Sequence, residues 1–290
     1  MDSRNGNVLS SVTVAEAMRK QVVRGGPDES ITRCIARMIK YKTGAVLVEE
    51  ENGSCLGVVS KTDVVGMYYA GLGLETQLGE VAGGEPICCY LGDRLETALA
   101  TMLDSGVRRV YVRARGMITG VVGYADIVGA MYRFCNQCRR NLYKSGKLQP
   151  EASGWLRAKD VMHPGVTGCF ASDALQFALE TLLEGRIGAV AVFDDSGQYP
   201  VGVLSNSDAV LAYRHEVDAD TRLERIMSTP ILACEQSDYL TSSLQTMIYA
   251  DVQRIFVYDA HPHNLAGVIS LTDAARIRSG ACKACRVARL

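Results

Sequence analysis

Apolar residues recur along this chain at a spacing that places them on one face of a helix, and the same spacing occurs in four stretches. In each stretch the apolar positions are i, i+4, i+7 and i+8, which is typical of an amphipathic helix packed against a core. The four sets are Ile31, Ile35, Met38 and Ile39; Leu95, Leu99, Met102 and Leu103; Leu175, Leu179, Leu182 and Leu183; and Leu240, Leu244, Met247 and Ile248. We therefore expect four helices of the same kind.

Short polar residues precede each predicted helix. Oxygens of such side chains can accept hydrogen bonds from the unpaired N–H groups of a helix start. The expected caps are Asp28, Asp93 after Gly92, Ser172 with Asp173, and Ser237 with Asp238.

After each predicted helix the pattern becomes that of β-strands. Turn residues such as Asn52 and Gly53 separate a first apolar run from a second, so each pair of runs predicts a hairpin. The first runs are Val46 to Val48, Val110 to Val112, Val190 to Val192 and Ile255 to Val257. The order helix, strand, turn, strand, helix therefore repeats four times, with a period of about sixty residues.

The second strand of each hairpin ends in a stretch that is nearly the same in all four repeats. Each copy predicts a buried strand that turns, at a hydroxyl-rich step, into a helix whose first turn holds an aspartate. The copies are Gly57 to Asp63, Gly120 to Asp126, Gly202 to Asp208 and Gly267 to Asp273.

The spacing of these aspartates divides the repeats into two pairs. Asp63 and Asp126 are 63 residues apart, and Asp208 and Asp273 are 65 apart, whereas 82 residues separate Asp126 from Asp208. The extra residues lie in 135–154, a polar segment with Gly, Ser and Pro that is typical of a linker. The chain is therefore predicted to be a duplicated pair.

Each unit resembles a CBS domain, the module named after cystathionine β-synthase, and each pair resembles a Bateman module. The supporting marks are the Gly-x-x-Ser-x-(Ser/Thr)-Asp ends and the openings Val14 to Met18, Val161-Met162 and Ile226-Met227. The resemblance covers nearly the whole chain and extends to four-repeat nucleotide sensors such as the gamma subunit of AMP-activated kinase. It implies an α/β protein in which four CBS repeats form two pseudo-symmetric Bateman modules with disc-like packing.

The same resemblance sets the predicted domain boundaries. The first module covers 1–134, with repeats over about 8–72 and 73–134. A linker follows at 135–154. The second module covers 155–290, with repeats over about 155–217 and 218–280 and a cysteine-containing tail.

The repeated junction has two explanations. A helix N-terminus suits a phosphate, a nearby hydroxyl adds a hydrogen bond, and a carboxylate accepts hydrogen bonds from ribose hydroxyls. A ribonucleotide supplies all of these partners, and apolar strands beside it would bury the base. The same residues also fit a capping box, in which Ser and an acid three residues later satisfy backbone donors. Capping and binding can coexist.

The resemblance implies nucleotide binding, because CBS pairs commonly bind AMP, ADP, ATP or S-adenosylmethionine in a cleft between paired sheets. The second repeat departs from the pattern, since Gly123 and Ala125 replace both hydroxyl residues. Arg109 and Arg254 stand where the other repeats have alanine, and they either reach a phosphate or are solvated strand residues. The remaining matching positions are Ser60, Thr62, Asp63, Asp126, Ser205, Ser207, Asp208, Ser270, Thr272 and Asp273.

Two Cys-x-x-Cys turns follow the last helices of the two predicted modules. Cys135 with Cys138 and Cys282 with Cys285 begin nine residues after Asp126 and Asp273 respectively. Four thiolates could hold Zn(II) or an iron–sulfur cluster. The alternatives are disulfides, two redox-active dithiols, or half-sites that another subunit completes. Cys89, Cys169 and Cys234 share one repeat position and are predicted to be small buried strand residues.

Composition limits the class of protein. The 290 residues include 31 basic and 32 acidic side chains, for a net charge of −1. Electrostatic binding to nucleic acid or to an anionic membrane is therefore not expected. No apolar run approaches the ~20 residues of a membrane span, and the first ten residues do not resemble a signal peptide. We therefore expect a soluble, cytoplasmic protein.

The function expected from these features is regulatory. An adenosine-containing small molecule would be sensed, and the response would be passed to an unidentified regulated protein, with a homodimer left open. No Ser-His-Asp set or convergent acid pair emerges, so an enzyme is not expected. The rival hypothesis is a metal or redox sensor that uses the two cysteine pairs.

Overall fold

The structure is a computed structural model, and it describes residues 8–133 and 156–277. Its helices are α1 (Val8–Ser11), α2 (Val14–Ala17), α3 (Ile31–Lys40), α4 (Lys61–Tyr69), α5 (Leu78–Val81), α6 (Leu95–Asp104), α7 (124–133), α8 (Leu175–Glu184), α9 (Asn206–Arg214), α10 (Leu240–Tyr249) and α11 (Leu271–Arg276). Short 3-10 turns occupy Ala158–Asp160 and Leu223–Arg225. In the part of the chain that the structure describes, no helix is long and apolar enough to cross a membrane.

The strands are short and belong to four small sheets. They are β1 (Arg24–Gly25), β2 (Ala45–Glu49), β3 (Cys55–Ser60), β4 (Cys88–Tyr90), β5 (Arg109–Ala114), β6 (Met117–Gly123), β7 (His163–Pro164), β8 (Gly168–Phe170), β9 (Ala189–Phe193), β10 (Pro200–Ser205), β11 (Ala233–Glu235), β12 (Arg254–Tyr258) and β13 (Leu265–Ser270). The mixed α/β architecture predicted from the sequence is confirmed.

The four predicted amphipathic helices are α3, α6, α8 and α10, each ten residues long. In α3 the residues Ile31, Ile35 and Met38 are at most 1% exposed, whereas Ile39 is 40% exposed. Positions i, i+4 and i+7 thus face the core, and the fourth predicted position lies at its edge. Full burial of one such aliphatic side chain contributes about 1.5–3 kcal/mol.

The polar residues before these helices do not cap them, so that prediction is wrong. The N-caps are Ser30, Arg94, Ala174 and Tyr239, and none makes a side-chain cap hydrogen bond. The aspartates lie earlier and bond backwards instead, because an Asp side chain can accept from a backbone N–H three residues before it. Asp93, Asp173 and Asp238 accept from the N–H groups of Tyr90, Phe170 and Glu235 at 2.8, 2.6 and 2.9 Å.

Each sheet contains the predicted hairpin and a strand parallel to its first strand, and the fourth sheet also contains β7. In the first repeat β2 and β3 are antiparallel, and β1 lies parallel to β2 on its other side. The helix between β1 and β2 provides the crossover that a parallel pair requires. The other sheets follow the same plan, with orders β4-β5-β6, β10-β9-β8 and β11-β12-β13-β7. Cys89, Cys169 and Cys234 lie in the added strands and are buried, as predicted.

The segment that opens each repeat pairs with the body of its neighbour in the chain. Strand β7 comes before the third repeat's helix, yet it pairs with β13 of the fourth repeat. In return, Ser228 from the opening of the fourth repeat bridges Val203 in β10. The first and second repeats exchange in the same way, since Arg19 bridges Val121 and Gly83 bridges Val58.

As a result, the compact units alternate along the chain. The even unit contains 1–21, 87–165 and 232–290 and holds the bodies of the second and fourth repeats. The odd unit contains 22–86 and 166–231 and holds the bodies of the first and third. Each has one hydrophobic core, with α6 and α10 contributing to the even core and α3 and α8 to the odd core. The division into modules at 1–134 and 155–290 remains a prediction.

The close approach of the opening segments explains the first glycine of the repeated stretch. A Cβ on Gly57 would lie 2.2 Å from the carbonyl oxygen of Gly83, and one on Gly267 would lie 2.3 Å from that of His163. At Gly120 and Gly202 the nearest atoms are the sulfurs of Met18 and Met227, at 2.5 and 2.7 Å. Any larger residue would push the opening segment off the strand.

Replacing Gly57 by alanine is expected to destabilise the protein by about 1–3 kcal/mol, the range for overpacking a tight contact. The free energy of unfolding in urea measures the effect. Gly84→Ala is the matched control, because a Cβ there meets no atom within 4 Å. Equal unfolding midpoints for the two variants would contradict this explanation.

Candidate functional site

The aspartate of each repeat is held in the same orientation at the junction between strand and helix. One carboxylate oxygen, Oδ2, accepts a hydrogen bond from the backbone N–H three residues earlier, at 2.7 to 2.8 Å in all four repeats. The donors are Ser60, Gly123, Ser205 and Ser270 for Asp63, Asp126, Asp208 and Asp273. This bond is the aspartate's half of a capping box, so the role of the motif in capping the helix is observed.

Serine completes the cap in three repeats. The hydroxyl oxygen of Ser60 accepts from the N–H of Asp63 at 3.3 Å, and Ser270 makes the equivalent bond to Asp273. Ser205 and Ser270 also donate their hydroxyl to the aspartate at 2.6 Å. Gly123 has no side chain and offers only its N–H, so the departure of the second repeat from the pattern has a visible structural consequence.

The second oxygen, Oδ1, has a different environment in each repeat. Arg19 Nε lies 3.1 Å from Asp126 Oδ1 and also donates to Oδ2 at 3.2 Å. Asp208 Oδ1 accepts from the Ser228 hydroxyl at 2.7 Å, and Asp273 Oδ1 lies 2.8 Å from His163 Nε2. These partners come from the opening segments, and all three directly follow a methionine that lies against a strand glycine. Among the described residues no such partner faces Asp63, which is exposed.

Burial opposes the charge of Asp126. Desolvation raises the pKa of this carboxyl, and the neighbouring guanidinium of Arg19 acts in the opposite direction. The side chain of Asp126 is only 11% exposed, while that of Arg19 is 49% exposed. The second repeat thus holds a desolvated acid already engaged with a cation.

Arg109 and Arg254 lie directly beside these junctions. Arg109 is the cross-strand partner of Gly123, and Arg254 is the partner of Ser270. Both are half-buried, so neither is a fully solvated strand residue. Burial lowers the pKa of Arg254 to about 10, with a further lowering from the positive charge of Arg108, while Asp273 acts in the opposite direction. Burial also lowers the pKa of Arg109.

Three predicted hydroxyl residues contact the helix start of the other repeat in the same unit. In the odd unit Lys61 Nζ lies 2.7 Å from Ser207 Oγ, and Asn206 Nδ2 lies 3.4 Å from Thr62 Oγ1. In the even unit Thr272 makes a side-chain hydrogen bond with Tyr124.

Lys61, Asn206 and Tyr124 were not predicted as site residues, although each directly follows the capping residue. The residues that contact Oδ1 were not predicted either, and their signal is their position in the opening segments. Lys61, Asn206 and Tyr124 could have been identified from their place at the first helical position, directly after the capping residue.

The cysteine pairs cannot be placed. Cys135, Cys138, Cys282 and Cys285 lie outside the described residues. Within 8–133 and 156–277, no group of three or more His, Cys, Asp or Glu is arranged to hold a metal ion. Burial raises the pKa of the Cys34 and Cys89 thiols to about 12 and that of Cys169 to about 11, which makes them poor nucleophiles.

Four βαβ units with an antiparallel return strand, each closed by the same capped aspartate, define a class of α/β repeat protein. The family model of the CBS domain matches residues 14–69, 78–133, 158–215 and 223–280. The chain therefore belongs to the CBS-domain family and contains four CBS domains.

Two uncharacterized proteins match part of this chain in sequence. A match to an uncharacterized protein of Methanopyrus kandleri is 25% identical over 123 residues, covering 41% of this chain and 63% of that protein. The chain thus spans less than two thirds of that relative's length. An uncharacterized protein of Methanocaldococcus jannaschii is 21% identical over 212 residues, covering 71% of this chain and 72% of that protein.

Two solved structures share the fold over most of the chain. The Methanocaldococcus jannaschii protein, proposed as an archaeal homolog of g-AMPK, superposes with a TM-score of 0.76 at 15% identity and covers 91% of this chain and 99% of its own. An uncharacterized conserved protein from Pyrococcus horikoshii gives a TM-score of 0.60 at 16% identity, covering 92% of this chain and 100% of its own. At these identities the likeness establishes the fold.

Removing the cap hydroxyl should lower stability by about 1 kcal/mol, as in other helix N-caps. Ser205→Ala is the informative variant, because its hydroxyl accepts from two backbone N–H groups and donates to Asp208. Ser207→Ala is the control, since that exposed hydroxyl contacts Lys61 but no backbone donor of its own helix. Urea unfolding of both variants measures the difference, and an equal loss in the two would argue against the capping role.

Proposed function

We propose that this protein is a regulatory sensor that binds an adenine nucleotide, AMP, ADP, ATP or S-adenosylmethionine, beside the strand-to-helix aspartates. The observation that carries the proposal is that the two oxygens of each carboxylate have different roles. One oxygen, Oδ2, is fixed by the capping box, which sets the orientation. The other, Oδ1, takes no part in the cap and contacts Ser228 at Asp208 and His163 at Asp273. An oriented acceptor at a helix start is what a ribose hydroxyl next to a phosphate requires.

The ribose would interact with Asp63, Asp208 and Asp273. A carboxylate can accept several hydrogen bonds, so capping by one oxygen leaves acceptor capacity on the other. Hydrogen bonds from ribose hydroxyls to an ionised acid are strengthened by its charge. Capping and ligand binding therefore do not compete for the same oxygen, which removes the main structural argument against the nucleotide hypothesis.

The phosphates would be held by cations and helix starts beside the carboxylates. In the odd unit, α4 and α9 are each nine residues long. Lys61, the first residue of α4, contacts Ser207 in the first turn of α9. Their N-terminal N–H groups and partial positive charge favour an anion. In the even unit, Arg109 and Arg254 are partly desolvated, and an anion would offset the cost of burying their charge.

Sensing requires that the ligand favour one state of the protein over another. The contacts Lys61–Ser207 and Asn206–Thr62 join the first and third repeats at their helix starts. A phosphate beside Lys61 would compete with Ser207 for the ammonium group and so change the contact between these repeats. The regulated partner would respond to that change. The fold shared with a proposed archaeal homolog of g-AMPK supports a role of this kind.

Replacing all three capped aspartates by asparagine should abolish nucleotide binding while leaving the fold intact. Asparagine retains an oxygen for the cap but loses the negative charge that strengthens the ribose contact. The variant Asp63→Asn/Asp208→Asn/Asp273→Asn is compared with wild type by isothermal titration with AMP, ATP and S-adenosylmethionine. Asp104→Asn, at an exposed helix end, is the control. Wild-type affinity in the triple variant would exclude these residues from the site.

Arg254→Gln should weaken binding of AMP or ATP at the Asp273 junction by about tenfold through loss of a charge-assisted contact to phosphate. Adenosine is the matched ligand, because it has the same base and sugar and lacks the phosphate. Its affinity should be the same for wild type and variant. An equal loss for adenosine and AMP would show that Arg254 acts on the fold and not on the phosphate.

A further inference from the structure

One residue in each opening segment pairs with the strand that leads to the repeat's aspartate, and its identity differs in all four repeats. We call these residues the selector residues: Arg19, Gly83, His163 and Ser228. Each pairs with the valine that follows the first glycine of the repeated stretch, namely Val121, Val58, Val268 and Val203 respectively. Equivalent backbone pairing therefore puts three different side chains and one glycine at equivalent places.

Three selector residues occupy the oxygen that a ribose would need. The Ser228 hydroxyl donates to Asp208 Oδ1 at 2.7 Å, and His163 Nε2 lies 2.8 Å from Asp273 Oδ1. Arg19 Nε contacts both oxygens of Asp126, at 3.1 Å from Oδ1 and 3.2 Å from Oδ2. A ligand hydroxyl at these aspartates has to displace the selector side chain or share the oxygen with it. Because one hydrogen bond is exchanged for another, little is gained.

The first repeat is different because its selector residue is Gly83. Asp63 Oδ2 is fixed by the N–H of Ser60 at 2.7 Å, as in the other repeats. Glycine supplies no side chain to Oδ1, and Asp63 is exposed. At this junction the carboxylate of Asp63 is thus held in a fixed orientation, and its Oδ1 contacts no selector side chain.

We propose that the selector residues grade the affinity of the four junctions, and that the nucleotide binds most tightly at Asp63. Ser228 makes Asp208 weaker, since a neutral hydroxyl must be displaced. His163 weakens Asp273 in the same way, because its ring nitrogen must also be displaced from Oδ1. The cation Arg19 makes Asp126 weaker still, because a charged donor holds a carboxylate more strongly than a neutral one. This inference rests on the proposed function and adds to it an order of occupancy set by one position per repeat.

The backbone at Gly83 accepts a side chain, so the missing selector can be supplied. A Cβ there would have its nearest neighbour, the carbonyl oxygen of Val58, at the ordinary distance of 3.7 Å. Gly83→Ser would place at Asp63 the group that Ser228 provides at Asp208. Gly84→Ser is the matched control, one residue further along and with nothing within 4 Å of its Cβ.

The test is isothermal titration of the full chain with AMP. Asp63→Asn should remove the tightest binding event, and Gly83→Ser should weaken that same event by about tenfold, as loss of one charge-assisted hydrogen bond does. Gly84→Ser should leave it unchanged. Ser228→Ala should strengthen a weaker event, which Asp208→Asn then removes. Thermal unfolding of each variant checks that the fold is retained.

Several results would overturn the inference while leaving the proposed function standing. The tightest event could persist in Asp63→Asn, or remain unchanged in Gly83→Ser. Binding could also weaken in Ser228→Ala, which would make Ser228 a ligand contact and not a competitor. If wild type binds none of AMP, ATP and S-adenosylmethionine, the proposed function itself fails, and the order of occupancy fails with it.

Discussion

The structure depends on a close backbone approach between the opening segment of one repeat and the second hairpin strand of its neighbour. This contact requires glycine at Gly57, Gly120, Gly202 and Gly267, because a Cβ at any of them would clash with the opposite segment. The contact does two things at once. It extends or bridges a sheet, as β7 does beside β13, and it carries one further side chain to the aspartate six residues after the glycine. The same contact therefore shapes both the fold and the surroundings of the candidate site.

The capped aspartate shows how a structural and a functional role can share one residue. A carboxylate has two oxygens, and in every repeat Oδ2 accepts from the backbone N–H three residues earlier. The helix start is thereby satisfied and the side chain is immobilised. The remaining oxygen then depends on its surroundings, which range from the exposed Asp63 to the buried Asp273. Four copies of one motif therefore give four chemically different positions.

Much of the fold follows from local patterns, and the errors arise where pairing is not local. Periodicity predicted α3 and its three equivalents and both strands of each hairpin, because burial of one helix face or one strand run is visible within about ten residues. The exchange of opening segments was not predicted, since nothing in the sequence near Met18 or Met162 states which repeat receives it. Asp93 was assigned to a helix cap because sequence spacing alone does not distinguish a forward bond from a backward one.

The candidate site was predicted in part for the same reason. Asp63 and its equivalents stand out because they recur, whereas the residues that contact them, such as His163 and Ser228, lie far away in sequence and share no residue type. Recurrence identifies what the repeats have in common, and divergence at an equivalent position identifies how they differ. The two units also differ in charge: Arg109 and Arg254 of the even unit replace the alanines Ala45 and Ala189 of the odd unit. The desolvated guanidiniums beside Asp126 and Asp273 and the exposed carboxylate of Asp63 thus occur in different units, because duplication preserved the backbone plan while single positions diverged.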